Sequence, residues 1–456
     1  MKTRTRLNVI LFTVTFLILL SGIIIPLTPV VHADQGLTID AGTLNGSYAN
    51  VAVDGTGSVY VTGSSLLLGG YGSWPSKGFL LAYTASGYLS YKFSSYPSFN
   101  LGPQDTFAAG VAVDTSENIY FAGTSKATGA AAGEFFNGYL VKYDPSYSIL
   151  WQTTWGGSIS DAVPRAIATD AYDNVYVVGN TNGYWSGNGD TIAGLSRAFL
   201  LKYQGSEGAQ TFQGTWGGEL NNDYANALAV DNLGNVYIVG TTYTYGQLGH
   251  GAVFLLKWDL TGDLRSGEIS FLRTWGGYNQ TDYGYGVALD PEGNVYVTGT
   301  TYSYGLNPGL PSAFLLKYNS NGQLLSQRIW GGTSADYGYG VATDNLGNVY
   351  MAGTTFSYSM SPGHPNVFLV KYDPSGNIVY QKTWGGVEAD YGYAVAVDQF
   401  GNAYVTGYTY SFGPNPQRTL EQSTIYQNTA ALFLLKYDSN GNLWWQRIWS
   451  GTALNQ

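Results

Sequence analysis

Residues 287–299 read VALDPEGNVYVTG, and the stretch returns six more times with small variations, starting at Val51, Val111, Ile167, Leu228, Val341 and Val395. The aspartates of the seven copies, Asp54, Asp114, Asp170, Asp231, Asp290, Asp344 and Asp398, are spaced by 60, 56, 61, 59, 54 and 54 residues. Self-similarity at such a period marks a repeat architecture, in which each unit buries its apolar surface against its neighbours. Seven all-β units of this size predict a seven-bladed propeller of four-stranded antiparallel blades, one blade per unit.

Within one unit the pattern resolves into four strands. Val287-Ala288-Leu289 is a short apolar strand, and Asp290-Pro291-Glu292-Gly293-Asn294 ends it: the aspartate caps the backbone, proline fixes φ, and glycine takes the left-handed position. Val295-Tyr296-Val297-Thr298 returns as a second strand of β-branched and aromatic residues. Phe314-Leu315-Leu316-Lys317-Tyr318 is the third, Asn321-Gly322 is a hairpin signal, and residues 324–330 form the outer strand before Gly331-Gly332 turns the chain into the next unit. The third-strand aromatic recurs as Phe79, Tyr139, Phe199, Phe254, Phe314, Phe368 and Phe433, and the outer-strand tryptophan as Trp155, Trp216, Trp275, Trp330, Trp384 and Trp449. An aromatic at a fixed strand position in every unit is expected to pack blade on blade. The first unit departs most, with Tyr91-Lys92-Phe93 in place of the W-G-G end.

The combination V-A-x-D-x-x-G-N-x-Y-V-x-G, F-L-L-K-Y and W-G-G resembles the prokaryotic seven-bladed β-propeller repeat family known as SBBP, over nearly all of residues 36–456. The resemblance implies the fold and an exported or cell-surface setting; it carries no catalytic residues with it. Residues 37–42 are similar to the end of an outer strand and are expected to pair with the last blade and help close the ring.

Composition sets further bounds. Lys2, Arg4 and Arg6 precede an uncharged apolar run over residues 7–25, followed by Val31-His32-Ala33, so residues 1–33 read as a signal peptide or, if uncut, an N-terminal membrane anchor, with the propeller over residues 34–456. Losing residues 1–33 removes three basic and no acidic residues and takes the net charge from −10 to −13. Such a chain lacks the basic surface that neutralises phosphates, which argues against nucleic acid as a partner. With no cysteine, the fold is held by packing alone.

Uniform first-to-second and third-to-fourth turns share one face of the ring. Second-to-third loops and blade connections share the other, where variation concentrates and binding residues are favoured. That face is rich in tyrosine: the connections carry Tyr283, Tyr285, Tyr337, Tyr339, Tyr391 and Tyr393, and the loops carry Tyr302, Tyr304, Tyr408 and Tyr410. A ring with a hydroxyl suits stacking on sugars or contact with protein, and equally suits packing between blade tops. In the first unit Tyr71 and Trp74 follow an apolar Leu66-Leu67-Leu68 run, beside the long loop of the seventh unit once the ring closes. Asp282, Asp336 and Asp390 stand eight residues before their turn aspartates; they either cap their own connection or, if turned to the channel, offer oxygens to Ca²⁺. Asn45 and Asn279 begin glycosylation sequons on connections.

Outside the leader the only histidines are His250 and His364, and there is neither a G-x-S-x-G elbow nor an H-E-x-x-H motif. The expectation is therefore an exported, non-catalytic module that binds an envelope glycan or a surface protein and needs no cofactor. A passive structural subunit of the envelope is the alternative, followed by a carbohydrate-active enzyme working through paired aspartates.

Overall fold

The structure, a computed structural model, describes residues 33–35, 49–65, 77–94, 106–126, 135–156, 160–182, 195–260, 267–412 and 430–450. These form seven four-stranded antiparallel sheets, each a meander in chain order, and the last sheet gains a fifth strand. In blade 5 the strands are Asp282–Leu289, Val295–Thr301, Ser312–Tyr318 and Leu324–Trp330, innermost to outermost. The second strand is buried along its whole length, as its β-branched and aromatic run requires of a strand covered on both faces.

One network repeats under the turn face. In blade 6, Asp344 accepts the backbone N–H groups of Leu346 and Asn348 at 3.0 and 2.9 Å, the Asn348 amide at 2.7 Å and the Tyr350 hydroxyl at 3.0 Å. Lys371 of the third strand adds its ammonium 3.9 Å from the same carboxylate and 4.9 Å above the Tyr350 ring. It also donates to the Ser439 carbonyl of blade 7 at 3.1 Å, so the turn cap becomes a staple between blades. Lysine 142 makes the corresponding contacts, 3.1 Å to Asp114 and 2.9 Å to the Gly205 carbonyl. The D-x-x-G-N-x-Y and F-L-L-K-Y motifs are thus two halves of one buried polar cluster, in which every charge has a partner.

The outer-strand tryptophans pack as expected. Four of them lie close against the third-strand phenylalanine of the following blade: Trp216 on Phe254 at 4.5 Å, Trp275 on Phe314 at 4.6 Å, Trp330 on Phe368 at 4.0 Å and Trp384 on Phe433 at 4.6 Å between ring centroids. In blade 1, Tyr91 takes this linking role by stacking at 3.8 Å on Tyr147 of blade 2.

The ring closes by the same blade-on-blade packing between blade 7 and blade 1. Trp449 lies 5.0 Å from Tyr83, while Lys436, Arg447 and Gln399 donate to the carbonyls of Ala85, Gly87 and Gly55 at 3.0, 2.6 and 2.8 Å. The fifth strand of the last sheet is Ala33–Gln35, parallel to the outer strand with Ala33 beside Ile448. Residues 37–42, expected in that position, lie outside the described residues.

The innermost strands differ from the expectation. They begin at Asp282, Asp336 and Asp390, five residues before the apolar triplets, and so absorb Tyr283, Tyr285, Tyr337, Tyr339, Tyr391 and Tyr393, which were placed on connections. Tyr408, placed on a loop, lies in the strand Ala403–Thr409 and is buried. The reason is an irregularity in each inner strand, which hides the alternation that would announce a longer strand.

Candidate functional site

The inner strands of blades 2 to 7 each contain a β-bulge. Their registers shift at Ala108/Gly110, Pro164/Ala166, Ala225/Ala227, Gly284/Gly286, Gly338/Gly340 and Gly392/Ala394. A bulge inserts one residue and re-aims its side chain, and bulges gather at barrel rims and active sites. Here the extra residues are Ala109, Arg165, Asn226, Tyr285, Tyr339 and Tyr393, and all six line one central cavity of about 630 Å³ together with Ala49 of blade 1.

The second strand is adapted to this bulge. A Cβ added to Gly299 would collide with the carbonyl of Tyr283, and Gly240, Gly353 and Gly407 stand in the same relation to Tyr224, Tyr337 and Tyr391. The glycine that ends each V-Y-V-x-G motif therefore makes room for the displaced inner strand, which is the close-approach use of glycine.

The seven-membered ring of inner-strand residues is not symmetric. Blades 1 and 2 contribute alanine, blade 3 arginine, blade 4 asparagine and blades 5 to 7 tyrosine. The tyrosines form a continuous wall: Tyr285 to Tyr339 is 5.2 Å, Tyr339 to Tyr393 is 5.3 Å and Tyr393 to Tyr408 is 5.9 Å between centroids. Behind them Tyr283 lies parallel to Tyr285 at 6.0 Å and Tyr337 parallel to Tyr339 at 6.3 Å. Burial, together with hydroxyl contacts to Tyr243 and Tyr302 respectively, pushes the phenols of Tyr283 and Tyr337 up to about 12. Burial raises Tyr285, Tyr339 and Tyr393 further. At neutral pH the wall is an uncharged surface of rings and hydroxyls.

Across the channel stand the polar residues. Asn226 donates to the Gly284 carbonyl at 2.8 Å, which fixes its amide along the wall. Arg165 is the one charged side chain among the described residues lining the cavity. Burial lowers its guanidinium to about 10, with Tyr224 nearby acting in the opposite direction, so it remains a cation at neutral pH. Neither residue stood out in the sequence, although aligning the copies two places before the V-A-x-D valine would have found both.

The other candidates lie elsewhere. Asp282, Asp336 and Asp390 are fully buried at the tops of their strands and are absent from the cavity wall. Asp282 accepts the hydroxyls of Thr301 and Ser303 at 2.7 and 2.6 Å and the Gly277 N–H at 2.9 Å. Asp336 is held by Thr355, Ser357 and Gly332, and Asp390 by Thr409, Ser411 and Gly386. These are cap geometries joining the W-G-G turn to the second-to-third loop of one blade. Burial raises the Asp390 carboxyl against the pull of those donors. Among the described residues no group of three or more His, Cys, Asp or Glu could hold a metal.

Tyr304 packs 5.0 Å from Trp275 and donates to the Gly276 carbonyl at 3.2 Å, at the blade top and away from the channel wall. Tyr302 sits edge-on to Tyr283, while Tyr391 and Tyr410 reach the cavity wall. Asn279 is exposed on its connection. Tyr71, Trp74 and Asn45 lie outside the described residues.

Comparison with known proteins bears on the fold. The β-propeller repeat SBBP matches residues 215–245, 274–307, 328–358 and 384–413. An uncharacterized WD repeat-containing protein of Acanthamoeba polyphaga mimivirus is 21% identical over 438 residues, covering 74% of this chain; the chain spans 27% of that protein's length. A protein of unknown function from Dyadobacter fermentans is 12% identical, with a TM-score of 0.42 over 82% of this chain and 92% of that one. A gluconolactonase from Xanthomonas campestris is 11% identical, with a TM-score of 0.36 over 69% and 90%. Four SBBP repeats are matched and seven four-stranded blades form, so the chain is a seven-bladed β-propeller that carries SBBP β-propeller repeats.

Proposed function

We propose that this propeller is an exported, non-catalytic binding module of the cell surface, and that its ligand, an envelope glycan or an exposed part of a surface protein, is held at the tyrosine-rich mouth of the central channel. The observation that carries this reading is the asymmetry of the bulge ring. A repeat that needed only to fold would place similar residues at all seven inner positions, as it does at the seven turn aspartates. Instead one side of the channel is aromatic, the other carries a cation and an amide, and two alanines leave space between them. Aromatic walls with few polar groups are the usual make-up of a binding cavity.

Tyr285, Tyr339 and Tyr393 supply the stacking surface, with Tyr283, Tyr337 and Tyr391 behind or beside them. The buried cap aspartates offer no pair of reachable carboxylates, which withdraws support from hydrolysis by paired acids. The test is retention of the purified chain on isolated cell envelopes and on a glycan array. Tyr339→Ala combined with Tyr393→Ala should abolish retention while the fold, read by circular dichroism, persists. Retention unchanged by this pair would sink the proposal and favour a passive structural subunit.

A further inference from the structure

We infer that the ligand taken by the channel mouth is an acidic saccharide, a sugar bearing a carboxylate such as a hexuronate, and that Arg165 receives that carboxylate. The inference rests on the channel being the binding site and names the class of ligand it selects.

The chain is acidic, with 30 Asp and Glu against 20 Lys and Arg, yet the cavity wall among the described residues holds one cation and no carboxylate. Arg165 lies half-buried in that wall, where a charge-assisted hydrogen bond is stronger than in open water. Arginine here is also a departure from its own repeat: the six equivalent positions carry alanine, asparagine or tyrosine. The scaffold therefore does not need a cation at this place. In the sevenfold order, blade 3 faces blades 6 and 7, so Arg165 stands across the channel from Tyr339 and Tyr393. On its blade 1 and 2 side it is flanked by Ala109 and Ala49, which leave the guanidinium room to receive a group from the mouth.

Chemistry narrows the ligand. The planar fork of arginine matches a carboxylate bidentately. Uncharged tyrosines opposite suit the C–H face of a pyranose ring, with hydroxyls and the Asn50 and Asn226 amides on hand for its hydroxyl groups.

The experiment is isothermal titration of the full chain with a glucuronate-containing oligosaccharide and with the same oligosaccharide after reduction of its carboxyl groups. For the unaltered chain the acidic form should bind at least about tenfold tighter, the size of one charge-assisted hydrogen-bonded pair. Arg165→Gln should bring the two affinities within about twofold, Arg165→Lys should restore part of the preference, and Tyr339→Ala should weaken both sugars alike. Equal affinity for the two forms, or a preference that survives Arg165→Gln, would overturn the role of Arg165 while leaving the channel reading intact. Binding of both sugars unaffected by Tyr339→Ala would overturn the channel reading itself. Arg165-dependent binding of a glutamate-rich peptide, with neither sugar bound, would overturn the saccharide assignment.

Discussion

The turn face and the channel mouth are drawn from the same seven repeats, yet they treat repetition in opposite ways. On the turn face every blade carries the same aspartate and tyrosine, and blades 2 to 7 add the same lysine; blade 1 has Ala82 there. At the mouth, seven equivalent positions hold alanine, arginine, asparagine and tyrosine. Uniformity under one physical demand marks structure, since each turn must bury the same charge and staple the same neighbour. Variation at the bulged positions of blades 2 to 7, which share one backbone irregularity, marks places where the fold makes no demand and something else can.

That contrast can be broken from the structural side first. Asp344→Ala leaves Lys371 and the Tyr350 hydroxyl without their buried partner and should cost about 3–5 kcal/mol in chemical denaturation. Trp330→Ala should come next, at about 3 kcal/mol, because the ring fills the seam against Phe368. Alkali should act on the mouth and its supports together. The folded chain keeps the phenols of Tyr283 and Tyr337 protonated to about 12, whereas the unfolded chain releases those protons near pH 10. Stability should therefore fall as pH rises through that window, with the phenols of Tyr283 and Tyr337 losing their protons as the chain unfolds.

The functional side should behave differently. Tyr339→Phe should alter stability by no more than about 1 kcal/mol while reducing retention on envelopes. A loss comparable to that of Asp344→Ala would mean the mouth is as structural as the turns. The smallest effect should come from chelation. The oxygens of Asp282 and Asp336 already accept hydroxyl and amide donors, so EDTA should leave the melting temperature within about 1 °C.

Much of the fold was readable along the chain because its signals are local. Asp290-Pro291-Glu292-Gly293-Asn294 specifies a turn through short-range hydrogen bonds, and Trp330 and Phe368 recur at fixed strand positions. The mouth was readable only in part. Tyrosine enrichment pointed to one end of the ring, but Tyr304 belongs to blade-top packing while Tyr285 lines the channel, and composition cannot separate them. Arg165 and Asn226 escaped because each occurs once, in strands whose neighbours look unremarkable.

By itself the sequence determined the number of blades, the strand order within each blade, the capped turns and the aromatic seams, all of which rest on contacts within a unit or repeated between adjacent units. Only the tertiary structure decided which residues meet. In blades 2 to 7 the bulge turns one side chain into the channel, and closure of blade 7 on blade 1 completes the ring that these residues line. The cation of blade 3 thereby comes to face the tyrosines of blades 6 and 7, residues more than 170 positions apart in the chain. Such an encounter depends on closure of the whole ring, and no local preference encodes it.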